Sequence, residues 1–299
     1  MSGKSQMNIF KGLEQIVKSN YPLGKDTWYG LGGPADYFIE PQSVQQLQDV
    51  AKRCRENNIQ IKVIGYGSNL LISDEGVRAA VIRLDSDAFS QLNFDGEIVE
   101  AGAGLELSRV VLKCVQKGLS GLEPLTGIPG SIGGAIKMNA GGNFGDIGSV
   151  IQSVTLMDNR GHIFEKSKPE LVFDYRKTNI AAKFILGCQI KLTESDSEQI
   201  MQRVKEIWIY KKNNQPLNTK NAGCIFKNPG GVSAGALIDK AGLKGTRIGN
   251  AVVSDKHANF FIAEKGCTSN DVIQLIELVK KTVKEKFDIE LELEIEIWK

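Results

Sequence analysis

The sequence has 299 residues, of which 41% are hydrophobic and 24% charged, and its formal net charge is +2. This composition is typical of a folded globular protein with room for two domains, and it excludes a largely disordered chain. A net charge this small does not favour a nucleic acid or a membrane surface as a partner, so any phosphate-binding chemistry has to be local.

The first residues and the cysteines indicate a cytoplasmic location. The opening residues, MSGKSQMNIFKG, lack the apolar segment of a secretory signal, and no run has the roughly 18 apolar residues of a membrane span. The five cysteines form no CxxC pair, which is typical of thiols in a reducing compartment. With two histidines, His162 and His257, we expect no metal site.

Hydrophobic periodicity predicts a mixed α and β fold. Helices are predicted at residues 44–57, 105–118, 198–212 and 270–287, the last with an Asn270 cap. Strands are predicted at residues 61–64, 79–84, 97–101 and 153–158. Residues 289–298 alternate apolar and acidic side chains, which predicts one unbroken strand with Glu290, Glu292, Glu294 and Glu296 on the same face. The polar segment TESDSEQ predicts a domain boundary near residues 195–200.

A first glycine-rich loop follows the predicted strand at residues 61–64. In GYGSNLL the glycines allow backbone N–H groups to converge on an anion, and Ser68 and Asn69 add side-chain donors. A tight turn between two strands explains the same residues equally well. The loop lacks the third glycine of a Rossmann fingerprint, and an apolar run followed by SDEG replaces the long helix.

A second glycine-rich segment occupies residues 125–148, LTGIPGSIGGAIKMNAGGNFGDIG. Each missing side chain removes a steric barrier, so backbone can press against a flat or extended ligand and offer it N–H donors. This density favours a ligand-binding segment over a purely structural loop.

The sequence resembles the UDP-N-acetylenolpyruvoylglucosamine reductase (MurB) family from about residue 20 to the end. The resemblance is carried by the two loops and by further motifs that occur in the same order as in the family: TWYGLGGPADYF, DYRKTNI, NAGCIFKNP, the segment from AGALIDKAG to SDKHANF, and LELEIEIW. The resemblance implies an α+β chain: an FAD-binding domain of the PCMH type (vanillyl-alcohol-oxidase-like) at residues 20–196, with subdomains at about 20–84 and 85–196, followed by a smaller α/β substrate-binding domain at 197–299. The chain length implies the shorter subtype, without an extra tyrosine-bearing loop.

The implied cofactor is non-covalently bound FAD, because no histidine or cysteine lies in either loop, and NADPH is the implied co-substrate. The enolpyruvyl substrate takes a hydride at C3 and a proton at C2, giving UDP-N-acetylmuramate. A monomer is expected, with no nucleic-acid or membrane partner. The implied cofactor-binding residues are Gly65, Tyr66, Gly67, Ser68, Asn69, Leu70, Pro129, Gly130, Ser131, Gly133, Gly134, Asn139, Ala140 and Gly141.

Three residues carry the implied chemistry. Arg176 in DYRKTNI matches the arginine that holds the substrate carboxylate, for which a planar guanidinium is suited. Glu294 matches the glutamate of the terminal strand, which assists enol stabilisation or proton positioning. Cys224 departs from the family pattern, because it stands where the best-known members have the serine that protonates C2. A thiol is a stronger acid than an alcohol, so we predict that Cys224 is the proton donor.

Further positions are weaker candidates. Asn228 resembles a substrate-contacting residue, while Lys227, Lys244 and Arg247 either add positive potential for the UDP group or are ordinary surface charges. His257 is more typical of a structural histidine. Two alternatives stay open from the sequence: another flavoprotein oxidoreductase of the same fold, or, because of Cys224, a flavin-binding protein without turnover.

Overall fold

The computed structural model of the protein describes residues 9–299. The opening residues 1–8, most of the stretch inspected for a signal sequence, lie outside the described part. The chain divides into two compact units: the first holds residues up to Tyr21, Asp36–Tyr66 and Arg78–Trp208, and the second holds Pro22–Ala35, Gly67–Val77 and Ile209–Lys299. The domain boundary expected near residues 195–200 stays a prediction.

Four of the α-helices confirm the helices predicted from periodicity. The helices in residues 9–299 are α1 Val44–Glu56, α2 Leu107–Gln116, α3 Ile132–Lys137, α4 Ser197–Asn214, α5 Ala234–Lys240 and α6 Ser269–Phe287. The short helices α3 and α5 lie in glycine-rich sequence, where apolar periodicity gives no signal.

The predicted Asn270 cap is wrong, because the N-cap residue of α6 is Thr268, two residues earlier. The Thr268 hydroxyl accepts a hydrogen bond from the Asp271 backbone N–H at 3.1 Å, and Asp271 Oδ2 accepts one from the Thr268 N–H at 3.0 Å. This reciprocal pair is a capping box, which satisfies two backbone donors where a lone Asn270 would satisfy one.

The predicted strands at 61–64, 79–84, 97–101 and 153–158 are confirmed within two residues at each end. The strands among residues 9–299 are β1 Val17–Pro22, β2 Pro34–Ile39, β3 Ile61–Ile64, β4 Leu70–Ile72, β5 Val77–Arg83, β6 Leu92–Asp95, β7 Ile98–Gly102, β8 Leu119–Ser120, β9 Gly141–Gly142, β10 Gly145–Asp146, β11 Ile151–Met157, β12 Ile163–Ser167, β13 Phe173–Asp174, β14 Lys177–Thr178, β15 Phe184–Lys191, β16 Thr193–Glu194, β17 Arg247–Ile248, β18 Ala251–Val253, β19 Phe261–Ala263 and β20 Glu296–Trp298.

The first unit is organised around two sheets. One has the order β1-β2-β5-β3, with β3 and β5 parallel, and the other has the order β12-β11-β15-β7-β6 with antiparallel neighbours. Each sheet packs on helices over its own apolar core: α1 with the first sheet, and α2 and α3 with the second. The short β9–β10 and β13–β14 hairpins carry parts of the candidate site.

The second unit is organised around α6. The buried residues of this helix, Val272, Leu275, Ile276, Val279 and Val283, recur three or four apart and so form one continuous face. They share a core with residues from α5 and the β17-β18-β19 sheet, and with two residues distant in sequence, Tyr29 and Leu71. Strands β4 and β20 pair in parallel, with Glu296 opposite Leu70.

The unbroken strand predicted at 289–298 is wrong. Strand pairing is limited to Glu296–Trp298, and residues 294–295 form a bend after an isolated bridge between Leu293 and Phe226. The bend changes the side-chain phase, since Ile295 and Trp298 are both buried. Glu290, Glu292 and Glu296 are exposed, whereas Glu294 is half-buried. Across residues 9–299, none of the helices combines the length and the apolar character needed to cross a membrane.

Candidate active site

The first glycine-rich loop begins directly after β3. Gly65 lies against the second loop, because a Cβ at this position would be 2.5 Å from Ser131 Oγ. Gly67 has a φ of +63°, and a Cβ there would be 2.1 Å from the Asp26 carbonyl oxygen, so only glycine fits. Tyr66 is exposed, and partial burial together with the carboxylates of Glu106 and Asp85 raises its pKa. The loop therefore makes close backbone contacts that larger residues would prevent.

The second loop leads into α3 through Ser131, which is buried and caps the helix. Its hydroxyl accepts the Gly134 N–H at 3.2 Å. The N–H of Ile132 donates to Leu105 and that of Gly133 donates to Ala103, at 2.9 and 2.8 Å. These three N–H groups are used within the chain, so they are not the ligand donors expected from glycine density.

Two glycines in this region serve packing rather than ligand approach. A Cβ on Gly133 would be 3.0 Å from the Ala103 Cβ, and a Cβ on Gly141 would be 2.5 Å from Gly145 O and from the Asp146 Cβ. Gly134, by contrast, is exposed and would meet Ser131 Oγ at 3.4 Å. Pro129 and Gly130 are half-buried, so their backbone too is at least partly accessible.

Arg176 lies in the tight turn between β13 and β14. It has a φ of +54°, a region that arginine occupies rarely, and its guanidinium lies 5.1 Å from the centre of the Tyr175 ring. The turn is tied to the second glycine-rich loop, because Asn139 Nδ2 donates to the Asp174 carbonyl at 3.0 Å. A Cβ on Gly148 would be 2.4 Å from the Phe173 ring, which shows how closely the loop and the hairpin pack.

Cys224 and Glu294 lie on neighbouring segments of the second unit. Cys224 is half-buried and bridges to Phe260, the Ile225 N–H donates to the Asn259 carbonyl, and the Glu294 N–H donates to the Ile225 carbonyl at 2.8 Å. Residues 224–226 thus run between the segment at 259–260 and the terminal segment at 293–294. Cys224 and Glu294 are 70 positions apart in the sequence, but the fold places them on neighbouring segments, where the Glu294 N–H bonds to the residue after Cys224.

Asn259 is a site residue that the sequence analysis missed. It is buried, its Nδ2 donates to the Phe226 carbonyl at 2.8 Å, and its Oδ1 accepts the Phe226 N–H at 2.9 Å. His257 Nδ1 accepts the Asn259 N–H at 3.2 Å, and burial lowers the pKa of this imidazole. Both residues belong to the SDKHANF motif, so the motif points to this segment. Nothing in its spacing distinguishes a residue that holds the neighbouring backbone from one that binds a ligand.

The remaining candidates have structural partners. Asn69 Nδ2 donates to the Glu294 carbonyl at 3.1 Å, and Asn228 Oδ1 accepts the Ala234 N–H at 3.0 Å. Lys227 pairs with Glu292 at 3.5 Å, Lys244 with Asp239 at 2.8 Å, and Arg247 with Glu264 at 2.6 Å. The last three pairs are solvent-exposed, which favours the surface-charge alternative for these cations.

The two loops fit a bound dinucleotide. Gly65 lies against the Ser131 side chain, Gly134 is exposed, and the Ser131 hydroxyl, having accepted one hydrogen bond, has a proton left to donate. Tyr66 adds an exposed aromatic ring beside these groups. This combination of glycine backbone, hydroxyl donor and aromatic surface suits a pyrophosphate with flat rings at its ends.

Comparison with known proteins defines first the class of protein. A family model described as FAD binding domain matches residues 35–167, and one described as UDP-N-acetylenolpyruvoylglucosamine reductase, C-terminal domain, matches residues 215–298. The chain is therefore an FAD-dependent oxidoreductase, and the predicted fold class, with a smaller domain after the FAD-binding domain, is confirmed.

Relatives cover nearly the whole chain. It is 40% identical to UDP-N-acetylenolpyruvoylglucosamine reductase of Clostridium novyi, over 97% of this chain and 96% of the relative. It is 39% identical to the enzyme of Bacillus subtilis, over 94% and 93%. The crystal structure of the reductase (MurB) from Thermus caldophilus is similar with a TM-score of 0.80 and 37% identity, over 95% of this chain and 98% of that one. The chain belongs to the UDP-N-acetylenolpyruvoylglucosamine reductase family.

Proposed function

We propose that the protein reduces UDP-N-acetylenolpyruvoylglucosamine to UDP-N-acetylmuramate, with FAD as its cofactor and NADPH as co-substrate, in the synthesis of peptidoglycan precursors. The observation that carries the proposal is the combination of near-full-length family relatives with a site in which Cys224 and Glu294 lie on adjacent segments. The protein acts in the cytoplasm as a monomer, and its product serves cell-wall growth, and through it cell shape, division and the cell cycle.

Residues of the two glycine-rich loops would hold the cofactor. Gly65, Tyr66, Ser68, Asn69, Pro129, Gly130 and Gly134 are at least partly exposed and are candidates for contact with the cofactor, and Ser131 offers its hydroxyl. Gly67, Leu70, Gly133, Asn139, Ala140 and Gly141 shape the loops around them. When bound, the flavin supplies the hydride that is transferred from NADPH to the enolpyruvyl group.

Arg176 binds the carboxylate of the enolpyruvyl group. Hydride addition at C3 moves negative charge through C2 into this carboxylate, so a fixed cation there stabilises the transition state more than the ground state. The left-handed backbone of Arg176 supports this role, because strained residues persist where the surrounding structure holds them for a purpose.

Cys224 donates the proton to C2, and Glu294 assists stabilisation of the enol or positioning of the proton. Cys224 is half-buried, its backbone bridges to Phe260, and the next residue, Ile225, accepts the Glu294 N–H. Glu294 is half-buried, whereas the other three glutamates of the terminal segment are exposed, so its environment differs from theirs. Asn228, which caps the turn before α5, contributes a contact to the substrate.

Stopped-flow absorbance of the flavin tests the function. We expect NADPH to bleach the flavin band, and UDP-N-acetylenolpyruvoylglucosamine to restore it rapidly under anaerobic conditions. Restoration by hydroxy acids or alcohols instead would identify another flavoprotein oxidoreductase of this fold. A flavin that is bound but never restored by an organic acceptor would identify a binding protein without turnover.

Substitution of Cys224 tests the proton donor separately from the cofactor. We expect Cys224→Ala to slow flavin reoxidation by about 10²-fold or more, the usual contribution of a general acid, and Cys224→Ser to retain activity. The NADPH-driven reduction should be unchanged in both variants. Parental reoxidation in the alanine variant would show that another group supplies the proton.

A further inference from the structure

An asparagine in each glycine-rich loop is hydrogen-bonded to the segment that carries a proposed catalytic group. Asn69 Nδ2 donates to the carbonyl of Glu294 at 3.1 Å, and Asn139 Nδ2 donates to the carbonyl of Asp174, two residues before Arg176, at 3.0 Å. From these bonds we infer that Asn69 and Asn139 are positioning residues, which fix Glu294 and Arg176 to the cofactor loops. The inference rests on the proposed function for the roles of Arg176 and Glu294.

The Asn139 amide is fully engaged with the chain. It is 3% exposed, its Oδ1 accepts the Gly148 N–H at 3.0 Å, and its Nδ2 holds the Asp174 carbonyl. Its φ of +42° is a backbone conformation that asparagine tolerates better than most residues. Because both ends of the amide are bonded and buried, the side chain connects the loop to the hairpin.

The hairpin that carries Arg176 has further ties to the same loop. Thr178 Oγ1 donates to the Lys137 carbonyl at 3.4 Å, and Lys137 Nζ donates to the Ile180 carbonyl at 2.8 Å. These bonds hold the strand that leaves the turn, whereas Asn139 holds the strand that enters it. The turn between them has its arginine in the left-handed region, so loss of one support lets Arg176 relax away from its bound geometry.

Asn69 replaces a missing step of strand pairing. The β4–β20 ladder begins at Leu70 and Glu296, and the Glu296 N–H donates to the Asn69 carbonyl at 3.0 Å. At the bend before Glu296, where the ladder does not continue, the Asn69 side chain satisfies the Glu294 carbonyl. The Glu294 N–H is bonded to Ile225, so Asn69 fixes the other side of the same residue.

Hydrogen–deuterium exchange with and without FAD tests the inference independently of turnover. In the parental protein we expect FAD to slow exchange at residues 173–178 and 293–296. In Asn139→Ala, FAD should no longer slow exchange at residues 173–178 but should still slow it at 293–296. In Asn69→Ala, FAD should no longer slow exchange at 293–296 but should still slow it at 173–178. Each variant is thus the specificity control for the other, and a failure of the proposed reaction would leave this pattern intact.

Kinetics separates positioning from cofactor binding. We expect each alanine variant to slow flavin reoxidation by substrate about tenfold, the equivalent of one hydrogen bond, with smaller changes in FAD affinity and in reduction by NADPH. A loss of FAD affinity as large as the loss of reoxidation would overturn the inference, as would an unchanged FAD effect on exchange in both variants.

Asn179→Ala is the matched control. Asn179 makes the same two kinds of bond, accepting from the Val172 N–H and donating to the Glu170 carbonyl, and both of these partners lie outside the glycine-rich loop. In Asn179→Ala, FAD should still slow exchange at residues 173–178. Where an alanine variant fails to fold, Asn139→Asp and Asn69→Asp keep the size of the side chain and remove the donor, and the same exchange pattern is expected of them.

Discussion

Cys224 differs from the other four cysteines in its surroundings, and all five lie within residues 9–299. Cys54, Cys114, Cys188 and Cys267 are buried, and Cys224 is partly exposed. Burial raises the pKa of Cys54, Cys114 and Cys188 to about 12 and that of Cys267 to about 11. Those four are therefore almost entirely protonated at neutral pH, and the thiolate is the reactive form.

We expect iodoacetamide at pH 8 to modify Cys224 well before any other cysteine of the folded protein. Peptide mass spectrometry over a time course would locate the first label. Cys224→Ser should leave the folded protein nearly unlabelled over the same interval, while the unfolded chain of either protein should label throughout. Rapid labelling at another position in the serine variant would contradict the burial pattern.

Protonation of His257 opposes folding. Burial lowers its pKa below the ordinary value of 6.5, and its Nδ1 must stay unprotonated to accept the Asn259 N–H. Above about pH 6.5 the imidazole is neutral in both folded and unfolded chains, so it has no effect on stability. As the pH falls below that value, the unfolded chain takes up the proton first and stability is lost down to the folded pKa.

Urea denaturation at pH 7.5 and 5.5 checks this effect. Because pH 5.5 lies about one unit below the ordinary pKa of histidine, His257 should lower the stability of the parental protein by up to about 1.4 kcal/mol between these pH values, and His257→Gln should lose less. His162→Gln is the control, since the His162 side chain is 76% exposed and lies beside Asp158. Equal pH dependence in the parental protein and in His257→Gln would show that other groups dominate.

At the scale of elements, the two glycine-rich loops meet where Gly65 lies against the Ser131 side chain. In Gly65→Ala the new Cβ would displace Ser131 Oγ, which caps α3 through the Gly134 N–H. We expect a loss of about 1 kcal/mol in unfolding free energy, the usual cost of a lost cap, together with weaker FAD binding. Thermal unfolding and FAD titration measure the two effects.

A double-mutant cycle identifies the cause. Once Ser131→Ala has removed the hydroxyl, adding Gly65→Ala should lower the free energy of unfolding by little more. The losses of stability in the two single variants should therefore add up to more than the loss in the double variant. Gly142→Ala is the control, because no atom lies within 4 Å of the new Cβ. Strictly additive losses would mean that Gly65 acts through something other than Ser131.

The elements that periodicity predicts are those whose fold depends on local sequence. Helices α1, α2, α4 and α6 bury one repeating face, and the repeat is visible in the sequence. The terminal strand was predicted too long, because the bend at residues 294–295 is imposed by partners distant in sequence, Ile225 and Asn69. The same reason explains why alternation alone could not single out Glu294 among four glutamates, and why Asn259 was missed.

At the scale of the whole molecule, the second unit is assembled from three separate stretches of chain. Its core includes Tyr29 and Leu71, both essentially buried, and the Tyr29 hydroxyl donates to the Phe261 carbonyl at 3.1 Å. Strand β20 pairs with β4, which lies more than 200 residues earlier. Such long-range contacts leave no trace in local periodicity, so the sequence indicated a second domain but not its early segments.

A fragment of residues 197–299 should therefore not fold on its own. It contains α6 and the β17-β18-β19 sheet, but it lacks the Tyr29 and Leu71 side chains of its core and the β4 partner of its last strand. Loss of one large buried aromatic side chain costs about 3–5 kcal/mol, a large part of the total stability of a domain. Near-ultraviolet circular dichroism and urea titration should show no fixed aromatic packing and no cooperative transition. Tyr29→Ala in the full chain should lower the free energy of unfolding by about the same 3–5 kcal/mol. A fragment that unfolds in a sharp transition would show that the early segments are dispensable. A full-length Tyr29→Ala variant that unfolds like the parental protein would show the same.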